Sequence, residues 1–444
     1  MFTQMSLNNF KAYRRSKKVP LRPLTFLVGA NNSGKSSLLH AILLLAQTLD
    51  DSTSRQALVT SGSYVDLGGY FDIIWGGQER RARTFSISLK FDPNGWDRRF
   101  AYRHTGGRPE APPNELNVSF AFDAGRNAIV VSKVSISGKE ETYASARRSG
   151  KQGYAIPHLS KADARKVDVA FRHFLPALQP APDYDYRGGR GRDVLIEKLM
   201  ASDEGWSAWA NEFSRVAHVA PLRQPVPRFG ILGKSLNSEL GPGGENLLRV
   251  LRASDDGPGA STRLATEVSR WVADDFKMLR SLELVDVDES GTILALLGDE
   301  RGGFEGINLA NMGEGLSQLL PIIARVLTTP EFGSLLIEQP ELHLHPAAQA
   351  DLADLFIGGA AKRNRQVIVE THSEHLLLRL RRRIAEGKLD PSEVAILYVE
   401  RDGSESSVRS IDLDAGGHFD DWPKGFFDER YREALAIAEA SQRS

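Results

Sequence analysis

Cysteine is absent from this chain of 444 residues. Its absence excludes disulfide bonds, thiolate zinc sites and cysteine nucleophiles, and is compatible with a reducing compartment. The chain also lacks an excess of charge of one sign, because 56 Lys and Arg residues are balanced by 57 Asp and Glu residues. The chain as a whole therefore has too little net charge to attract a nucleic acid or an anionic membrane, and any such contact requires a local cluster of basic residues.

Long hydrophobic runs are absent as well. The longest one lies around residues 41–46, and a membrane-spanning helix needs about 20 apolar residues. Residues 1–5 show no basic segment followed by an apolar core, so we expect no signal peptide. Apolar residues between positions 90 and 300 keep no sustained heptad spacing, which argues against a long coiled-coil arm. We therefore expect a cytoplasmic protein without a membrane partner.

A glycine-rich turn lies between the apolar run Leu24–Val28 and a helical pattern that begins at Ser37. Such a turn aims backbone N–H groups and a helix N-terminus at one anion. Lys35 is expected to meet the β- and γ-phosphates of a nucleotide, and Ser36 to offer its hydroxyl to Mg²⁺. The predicted nucleotide contacts of this loop are Gly29, Asn31, Asn32, Ser33, Gly34, Lys35, Ser36 and Ser37. The pattern predicts a binding site for ATP with Mg²⁺.

Polar residues follow two buried-strand patterns in the second half of the chain. Residues 333–338 end in Glu338, and residues 366–370 are followed by His372 two positions later. Because ligands of open α/β sheets bind at the carboxyl ends of the strands, both side chains are expected near the phosphate loop. We predict that Glu338 holds Mg²⁺ and that His372 reaches the γ-phosphate.

A second set of small and polar residues precedes the apolar helix pattern at 319–327. This set contains Gly313, Gly315, Ser317 and Gln318. A helix start of this kind is another anion site, but the chain carries no second triphosphate site to fill it. We expect it to cap the nucleotide of a second copy of the chain.

The order of these motifs resembles that of ABC-type ATPase heads in the group that contains SMC, RecF and OLD-family proteins. The resemblance covers residues 1–85 and 215–400, and the tail resembles the ending of bacterial predicted AAA-type ATPases without a TOPRIM domain. It implies an α/β fold, a P-loop NTPase with a mixed sheet flanked by helices. It divides the chain into the first part of the head (1–85), an inserted α+β region (86–215), the second part of the head (216–400) and an extension (401–444).

The resemblance also implies how such a protein acts. Two ATP molecules lie between two copies, so we expect a homodimer or a higher homo-oligomer, with Asn9, Phe10 and Lys11 near the adenine. Phe10 has plain core packing as an alternative. The resemblance implies a role in DNA maintenance or in defence against phage. It also implies a separate effector protein as partner, and it leaves open whether the chain binds a nucleic acid.

One departure from the resembling family concerns hydrolysis. Most ABC-type heads carry a catalytic glutamate after the metal-associated acid, but here Gln339 follows Glu338. An amide cannot act as a general base, and losing such a base costs roughly 10²- to 10⁴-fold in rate. We expect Glu341 to replace it, with slow ATP hydrolysis and with Gln339 positioning the water. The alternative is an ATP-clamped scaffold with negligible turnover.

Two other enzyme classes compete with this interpretation. His343, His345, His372 and His375 could form a zinc site, but the ATPase motif order already accounts for His372 and for the turn at 343–346. Glu400, Asp412 and Asp414 are similar to the metal carboxylates of a TOPRIM nuclease, but too few residues follow Glu400 for an added domain. A turn between two exposed strands is the favoured interpretation there.

Two basic clusters leave nucleic-acid binding open. Arg379 to Arg383 fall on a helix whose apolar residues recur at helical spacing, which favours a solvated face. Arg187, Arg190 and Arg192 lie in a glycine-rich segment that fits a linker or a nucleic-acid contact. Between these clusters, the turn at 221–228 is interpreted as a communicating segment or a structural turn. Residues 161–175 are predicted to form a helix, and residues 176–192 a loop.

Overall fold

The computed structural model describes residues 1–77, 83–92, 113–139, 142–150, 153–181, 194–231, 239–253, 262–287, 292–298, 306–359 and 363–420, with Trp422, Glu433 and Ile437. Its strands are β1 (Phe2–Phe10), β2 (Tyr13–Arg15), β3 (Val19–Pro20), β4 (Leu24–Val28), β5 (Thr84–Phe91), β6 (Glu115–Asp123), β7 (Ala128–Ser137), β8 (Thr142–Ser149), β9 (Gly153–Ala155), β10 (Val167–Arg172), β11 (Leu175–Pro180), β12 (Val216–Val219), β13 (Gly230–Ile231), β14 (Ser281–Asp286), β15 (Thr292–Gly298), β16 (Ile307–Asn308), β17 (Ser334–Glu338), β18 (Gln366–Glu370), β19 (Val394–Asp402) and β20 (Glu405–Ile411).

The α-helices are α1 (Lys35–Asp50), α2 (Tyr70–Ile73), α3 (Lys161–Ala164), α4 (Val194–Phe213), α5 (Leu247–Ala253), α6 (Thr262–Arg270), α7 (Glu314–Thr328), α8 (Pro346–Gly359) and α9 (Glu374–Ala385). A π-helical turn at Trp271–Asp275 continues α6. Pro346 opens α8, where its missing N–H costs no intrahelical hydrogen bond. No helix in the described ranges is long and apolar enough to cross a membrane.

The sheet that carries the site has six strands in the order β12-β17-β18-β4-β19-β20. The first five run parallel, and β20 is antiparallel to β19. Every residue of β4, β17 and β18 is buried, as expected for parallel strands covered on both faces. The carboxyl ends of these three strands meet at one edge, where Glu338 lies opposite Glu370. The predicted α/β class is confirmed.

A second, antiparallel sheet follows the path β2-β1-β5-β6-β7-β8-β9, with β3 also on β1. Residues alternate between buried and half-buried along β5, which is the pattern of a strand with one face on the core. The predicted boundary at residue 85 falls inside β5, and strands from the predicted insert extend a sheet that begins with β1. The division of the chain into domains stays a prediction.

The predicted helix over 161–175 is wrong beyond its first turn. α3 ends at Ala164, and β10 and β11 then form a hairpin whose turn contains His173 with a φ of +56°. The larger apolar residues Val167, Val169 and Phe171 alternate with Asp168, Ala170 and Arg172, and this two-residue period is typical of a strand. The predicted loop over 176–192 begins inside β11, and its residues from 182 onward lie outside the described ranges.

Candidate nucleotide site

The phosphate loop connects β4 to α1, and two of its positions accept only glycine. Gly29 has a φ of +146°, and a Cβ there would lie 2.1 Å from the Val399 carbonyl oxygen. Gly34 has a φ of +104°, and its Cβ would lie 2.7 Å from Oγ of Ser406. A side chain at either position would therefore force β19 or β20 away from the loop.

Lys35 is the first residue of α1 and is buried, with 3% of its surface exposed. Its Nζ donates to the Ala30 carbonyl at 2.7 Å and to the Gly29 carbonyl at 3.2 Å, and lies 3.9 Å from Oε1 of Glu370. Burial lowers the pKa of Lys35, and the nearby carboxylates oppose that shift. The ammonium group is thus held in the loop by contacts that a phosphate can replace.

Glu338 ends β17 as a buried carboxylate held by two histidines. His218 Nε2 lies 3.0 Å from its Oε1, and His40 Nε2 lies 3.4 Å from its Oε2. Burial alone would raise the pKa of Glu338, but the hydrogen bonds and charges of both histidines lower it to about 2. The group is therefore ionised at neutral pH, as a Mg²⁺ ligand must be.

Glu370 is a second carboxylate at this edge, which the sequence reasoning missed. It ends β18 and hydrogen-bonds the Ser36 hydroxyl, while its buried Oε2 has no partner among the described residues. Burial raises its pKa, and the charge of Glu338 also raises it, while Ser36 and Lys35 oppose the shift. The rule that selected Glu338, a carboxylate at the end of a buried strand, would have found Glu370 too.

The side chains at this edge fit a magnesium ion. The Ser36 hydroxyl and the carboxylates of Glu338 and Glu370 are hard oxygen donors, and the orphaned Oε2 of Glu370 lacks a partner that a cation would supply. Mg²⁺ is usually held by one or two carboxylates together with substrate phosphates. Within the described ranges, no group of three or more His, Asp or Glu residues could hold a metal by itself. The structure therefore lends no support to the zinc site.

The turn after β17 connects Glu338 to the segment that follows β18. Gln339 has a φ of +44°, and its N–H donates to the Glu370 carbonyl at 2.8 Å. Oε2 of Glu341 accepts from the Thr371 hydroxyl at 2.8 Å, and its Oε1 accepts from the His372 N–H at 2.6 Å. Burial raises the pKa of Glu341. Both oxygens thus hold the 371–372 segment, and the role of Glu341 as the general base stays a prediction.

A pocket of about 840 Å³, a volume typical of ligand sites, lies over the phosphate loop and Glu370. Glu338 and Glu341 do not line it. Its lining combines predicted contacts with residues that the sequence reasoning missed. The predicted contacts are Lys11, Asn31, Asn32, Gly34, Lys35, Ser36, Ser37, Gln339 and His372, and the missed ones include Phe71, Asp72, Gly76, Gly77, Glu370 and Arg401. Residues 71–77 belong to none of the motifs found in the sequence, so no local pattern predicts that they line the pocket.

The two residues before Lys11 do not line this pocket. Phe10 is fully buried and packs on Phe85 with ring centroids 5.7 Å apart, so its ring offers no face to an adenine. Asn9 donates from its side-chain amide to the Thr84 carbonyl at 3.1 Å. Gly29 and Ser33 lie within the loop but also outside the lining. For Phe10 the structure therefore gives the core packing that was the alternative.

The glycine- and serine-containing turn at 313–318 lies away from the pocket of its own chain. Gly313 precedes α7, and a Cβ at Gly315 would lie 3.0 Å from the His343 carbonyl oxygen. Ser317 and Gln318 are buried in the first turns of α7. None of these four residues lines the pocket around Lys35. Their contact with the nucleotide of a second copy stays a prediction.

Arg223 connects this turn to the end of β17. Its Nη1 donates to the Gln339 carbonyl at 3.2 Å, and its own carbonyl accepts from the Gln318 side-chain amide at 3.1 Å. Nε and Nη2 are buried without a partner among the described residues. Burial lowers the pKa of Arg223 to about 10. Arg223 thus contacts both the strand end at the pocket and the helix that faces away from it.

The basic helix α9 is neutralised within the chain. Arg379 pairs with Asp351 and Asp354, and Arg383 pairs with Asp354 and Glu386. These contacts support the structural interpretation over a nucleic-acid face. Arg187, Arg190 and Arg192 lie outside the described residues.

The carboxylates compared with a nuclease flank a hairpin. β19 and β20 pair antiparallel from Ile396 to Glu405, so the predicted turn between two strands is present, but the first part of β19 is buried and not exposed as predicted. Glu400 accepts from the Ser407 hydroxyl, and Asp414 accepts from the N–H groups of Gly416 and His418. These partners are local and account for both side chains.

Three solved structures resemble this fold. They are an SMC head bound to the C-terminal winged-helix domain of ScpA (15% identity, 93% of this chain and 98% of that chain, TM-score 0.44), an SMC head domain from Thermotoga maritima (14%, 93% and 99%, 0.41), and an Smc head with an extended coiled coil bound to the C-terminal domain of ScpA, from Pyrococcus furiosus (14%, 99% and 99%, 0.44). No curated protein matches the sequence.

Three family models match separate parts of the chain. Residues 1–155 match "AAA ATPase domain", residues 225–379 match "AAA domain, putative AbiEii toxin, Type IV TA system", and residues 389–436 match "Protein of unknown function (DUF3696)". The first range contains the phosphate loop, and the second contains the 313–318 turn, Glu338 and His372 in the order of an ABC-type head. Two of the three models thus describe AAA-type ATPase domains, which this chain resembles over residues 1–155 and 225–379.

Proposed function

We propose that the chain binds ATP with Mg²⁺ in the pocket over the phosphate loop and hydrolyses it slowly. The observation that carries the proposal is the meeting of Lys35, Ser36, Glu338, Glu370 and His372 at one edge of the parallel sheet. Phosphoryl transfer depends mainly on positioning and on charge stabilisation, and these groups supply both.

Each residue has a defined task in this proposal. Lys35 exchanges its loop carbonyls for phosphate oxygens, and Ser36, Glu338 and Glu370 hold the metal. Bound Mg²⁺ neutralises charge on the phosphates. His372 is neutral at pH 7, because burial and then the charge of Lys35 lower its pKa, so it can donate one hydrogen bond to the γ-phosphate.

Hydrolysis is slow in this proposal because of the residues around the attacking water. Gln339 lines the pocket and can orient a water, but its amide cannot remove a proton. To act as the base, Glu341 must exchange a hydrogen bond from Thr371 or from the His372 N–H for one from the water. The same contacts favour the second candidate, a scaffold in which ATP holds two copies together and is hardly hydrolysed.

Association of two copies is the output that we propose. The turn at 313–318 is separate from the pocket of its own chain, so a second copy could present it to the nucleotide. ATP-dependent association would then control an effector protein or a nucleic acid. The family description that mentions a toxin–antitoxin system is in keeping with a role in defence against phage, and DNA maintenance is the other context that we propose.

The test is steady-state ATP turnover by the purified chain with Mg²⁺, together with its mass in solution with and without ATP. Lys35→Ala removes the phosphate contact, and Lys90→Ala is the control, because Lys90 pairs with Glu115 on another sheet. Turnover that is lost in Lys35→Ala alone supports the ATPase. Association with ATP but without turnover supports the scaffold, and the absence of both contradicts the two candidates.

A further inference from the structure

A second pocket, of about 730 Å³, lies away from the phosphate loop. It lies against Asp50 at the end of α1 and against Arg325 and Thr328 in the last turn of α7. The first residues of these helices carry the phosphate loop and the 313–318 turn. The second pocket thus contacts the far ends of both helices on which the proposed ATPase depends.

Arg325 is the first of two buried donors without a partner in this pocket. Its Nε makes no hydrogen bond, and its guanidinium has no carboxylate partner within the described part of the chain. Burial lowers the pKa of Arg325, with Tyr64 and Glu239 opposing the shift. A cation at a helix C-terminus is stabilised only weakly, whereas removing an unpaired charge from water is strongly unfavourable. Arg325 is half-buried, and its position on α7 does not compensate for the burial of its Nε.

Trp206 is the second such donor. Its indole N–H is buried without an acceptor among the described residues, and the ring lines the same pocket. The guanidinium of Arg172 lies 4.9 Å from the centre of this ring, and Arg172 lines the pocket as well. Two donors without a partner among the described residues thus border one cavity, and an acceptor bound there would satisfy both.

The remaining walls define the kind of molecule that would supply it. Tyr64 and Phe213 add apolar ring surface, while Asp50 and Glu239 add acceptors for hydroxyl or amino groups. Arginine binds phosphate oxygens, aromatic rings pack on flat rings, and the volume falls in the range of small-molecule sites. We propose that this second pocket binds a small anion with a flat ring, a ligand of the nucleotide class, through Arg325 and Trp206.

The pocket also has a path to the magnesium ligand Glu338. The ring of Tyr64 packs edge-on against His218, with ring centroids 6.1 Å apart. His218 in turn contacts Glu338. A ligand that moves Tyr64 therefore changes how Glu338 is held. The proposal thus has a binding half and a regulatory half, the second being the effect of the bound ligand on Glu338. The regulatory half rests on the proposed ATPase function, whereas binding in the second pocket does not.

The experiment is calorimetric titration of the full chain carrying Lys35→Ala, which weakens the first site. AMP is the probe, and ribose 5-phosphate and inorganic phosphate are the controls without a base. We expect AMP to bind, and Arg325→Gln to weaken its binding at least about tenfold, the loss of one charge-assisted hydrogen bond. Trp206→Leu should also weaken it, and provides a second variant if Arg325→Gln does not fold.

The matched control is Arg365→Gln. Arg365, which precedes β18, is also half-buried and also contacts the end of α7, but it donates to the carbonyls of Val326 and Gly359 and does not line the pocket. It should lower thermal stability and leave AMP affinity within about twofold. Absence of AMP binding up to about 1 mM, or equal affinity in parent and Arg325→Gln, would overturn the site. Equal binding of ribose 5-phosphate would overturn the nucleotide class.

The regulatory half is tested on the protein without Lys35→Ala. AMP should change ATP turnover about fivefold, a typical coupling between two sites, and should have no such effect in Arg325→Gln. An equal effect in both proteins means competition at the first site and contradicts the regulatory half. A protein without turnover refutes the proposed ATPase but leaves the titration result valid.

Discussion

The end of β17 and the turn that follows it carry two buried glutamates only three positions apart, yet their pKa values shift in opposite directions. Two histidines lower the pKa of Glu338 to about 2, whereas burial raises the pKa of Glu341. Glu338 contacts His40 on α1 and His218 on β12, while the oxygens of Glu341 accept from the Thr371 hydroxyl and the His372 N–H. These different partners, and not the residue type or the burial, are the basis on which we propose Glu338 as a metal ligand and Glu341 as a tether of the 371–372 segment.

The sharpest test of this contrast is Glu338→Gln. We expect ATP turnover to fall about 10³-fold, because a metal ligand contributes several kcal/mol of charge stabilisation. Glu341→Gln should lower ATP turnover by less than this if Glu341 is a tether, and by as much as about 10⁴-fold if it is the general base. Glu115→Gln, on the antiparallel sheet, is the control. Equal losses of ATP turnover in Glu338→Gln and Glu341→Gln would contradict the proposed difference between a metal ligand and a tether.

The pH dependence of stability should separate the same two residues. The folded-state pKa of Glu338 is below its ordinary value, so its contribution is present above about pH 4.5 and is lost as the pH falls towards 2. The shift corresponds to about 3 kcal/mol. Glu341 has the opposite sign, because its raised pKa adds stability at low pH that is lost as the pH rises through the folded value.

Chemical denaturation of Glu338→Gln and Glu341→Gln at several pH values measures both contributions. Compared with the parent chain, Glu338→Gln should lose free energy of unfolding at neutral pH and approach the parent in acid. For Glu341→Gln, the difference from the parent should change with pH in the opposite direction. Parallel pH profiles for the two variants would show that their environments are alike.

Gln339→Glu extends the comparison to the residue between them. It places a carboxylate on the pocket wall where the resembling family carries its base, so turnover should rise about 10²-fold. Single-turnover hydrolysis measures the chemical step without product release. An unchanged or lower rate would mean that the missing base is not what limits hydrolysis.

Arg223→Met tests the link between the pocket and α7. It removes the hydrogen bond to the Gln339 carbonyl, and we expect about tenfold slower turnover with ATP affinity within about twofold. Arg365→Met controls for general destabilisation, because Arg365 is a half-buried arginine that also donates to backbone carbonyls. If ATP affinity and melting temperature fall together in Arg223→Met, the residue has only a structural role.

The smallest effect is expected on the exposed side of α9. Arg382 pairs with Glu386 one turn away, and such exposed pairs contribute under about 1 kcal/mol. Arg382→Ala should therefore change the free energy of unfolding by no more than this amount. It should also leave any binding of single- or double-stranded DNA unchanged. A clear loss of DNA binding, measured by fluorescence anisotropy, would restore the nucleic-acid interpretation of this helix.

Local sequence patterns predicted the strands that build the site. Leu24–Val28 and residues 366–370 are strands with the predicted bounds, because an apolar run bounded by polar residues defines a buried strand. The sequence also placed Glu338 correctly at a strand end. Glu370 was missed although the same rule applies to it.

Contacts between distant segments could not be predicted in this way. Phe71 and Arg401 reach the pocket from parts of the chain that carry no motif. The two histidines around Glu338 come from α1 and β12, and only the packed fold brings them together. The hairpin of β10 and β11 was missed because a short amphipathic segment fits both a strand and a helix.

The central claim is that one edge of the parallel sheet forms a site for ATP with Mg²⁺. Calorimetric titration of the purified chain with a slowly hydrolysed ATP analogue tests it most directly, with Mg²⁺ and with EDTA, beside Lys35→Ala and Glu338→Gln. We predict tight binding with Mg²⁺ that weakens at least about 10²-fold without the metal and in both variants. Absence of binding to the parent chain, or equal binding to Lys35→Ala, would contradict the account.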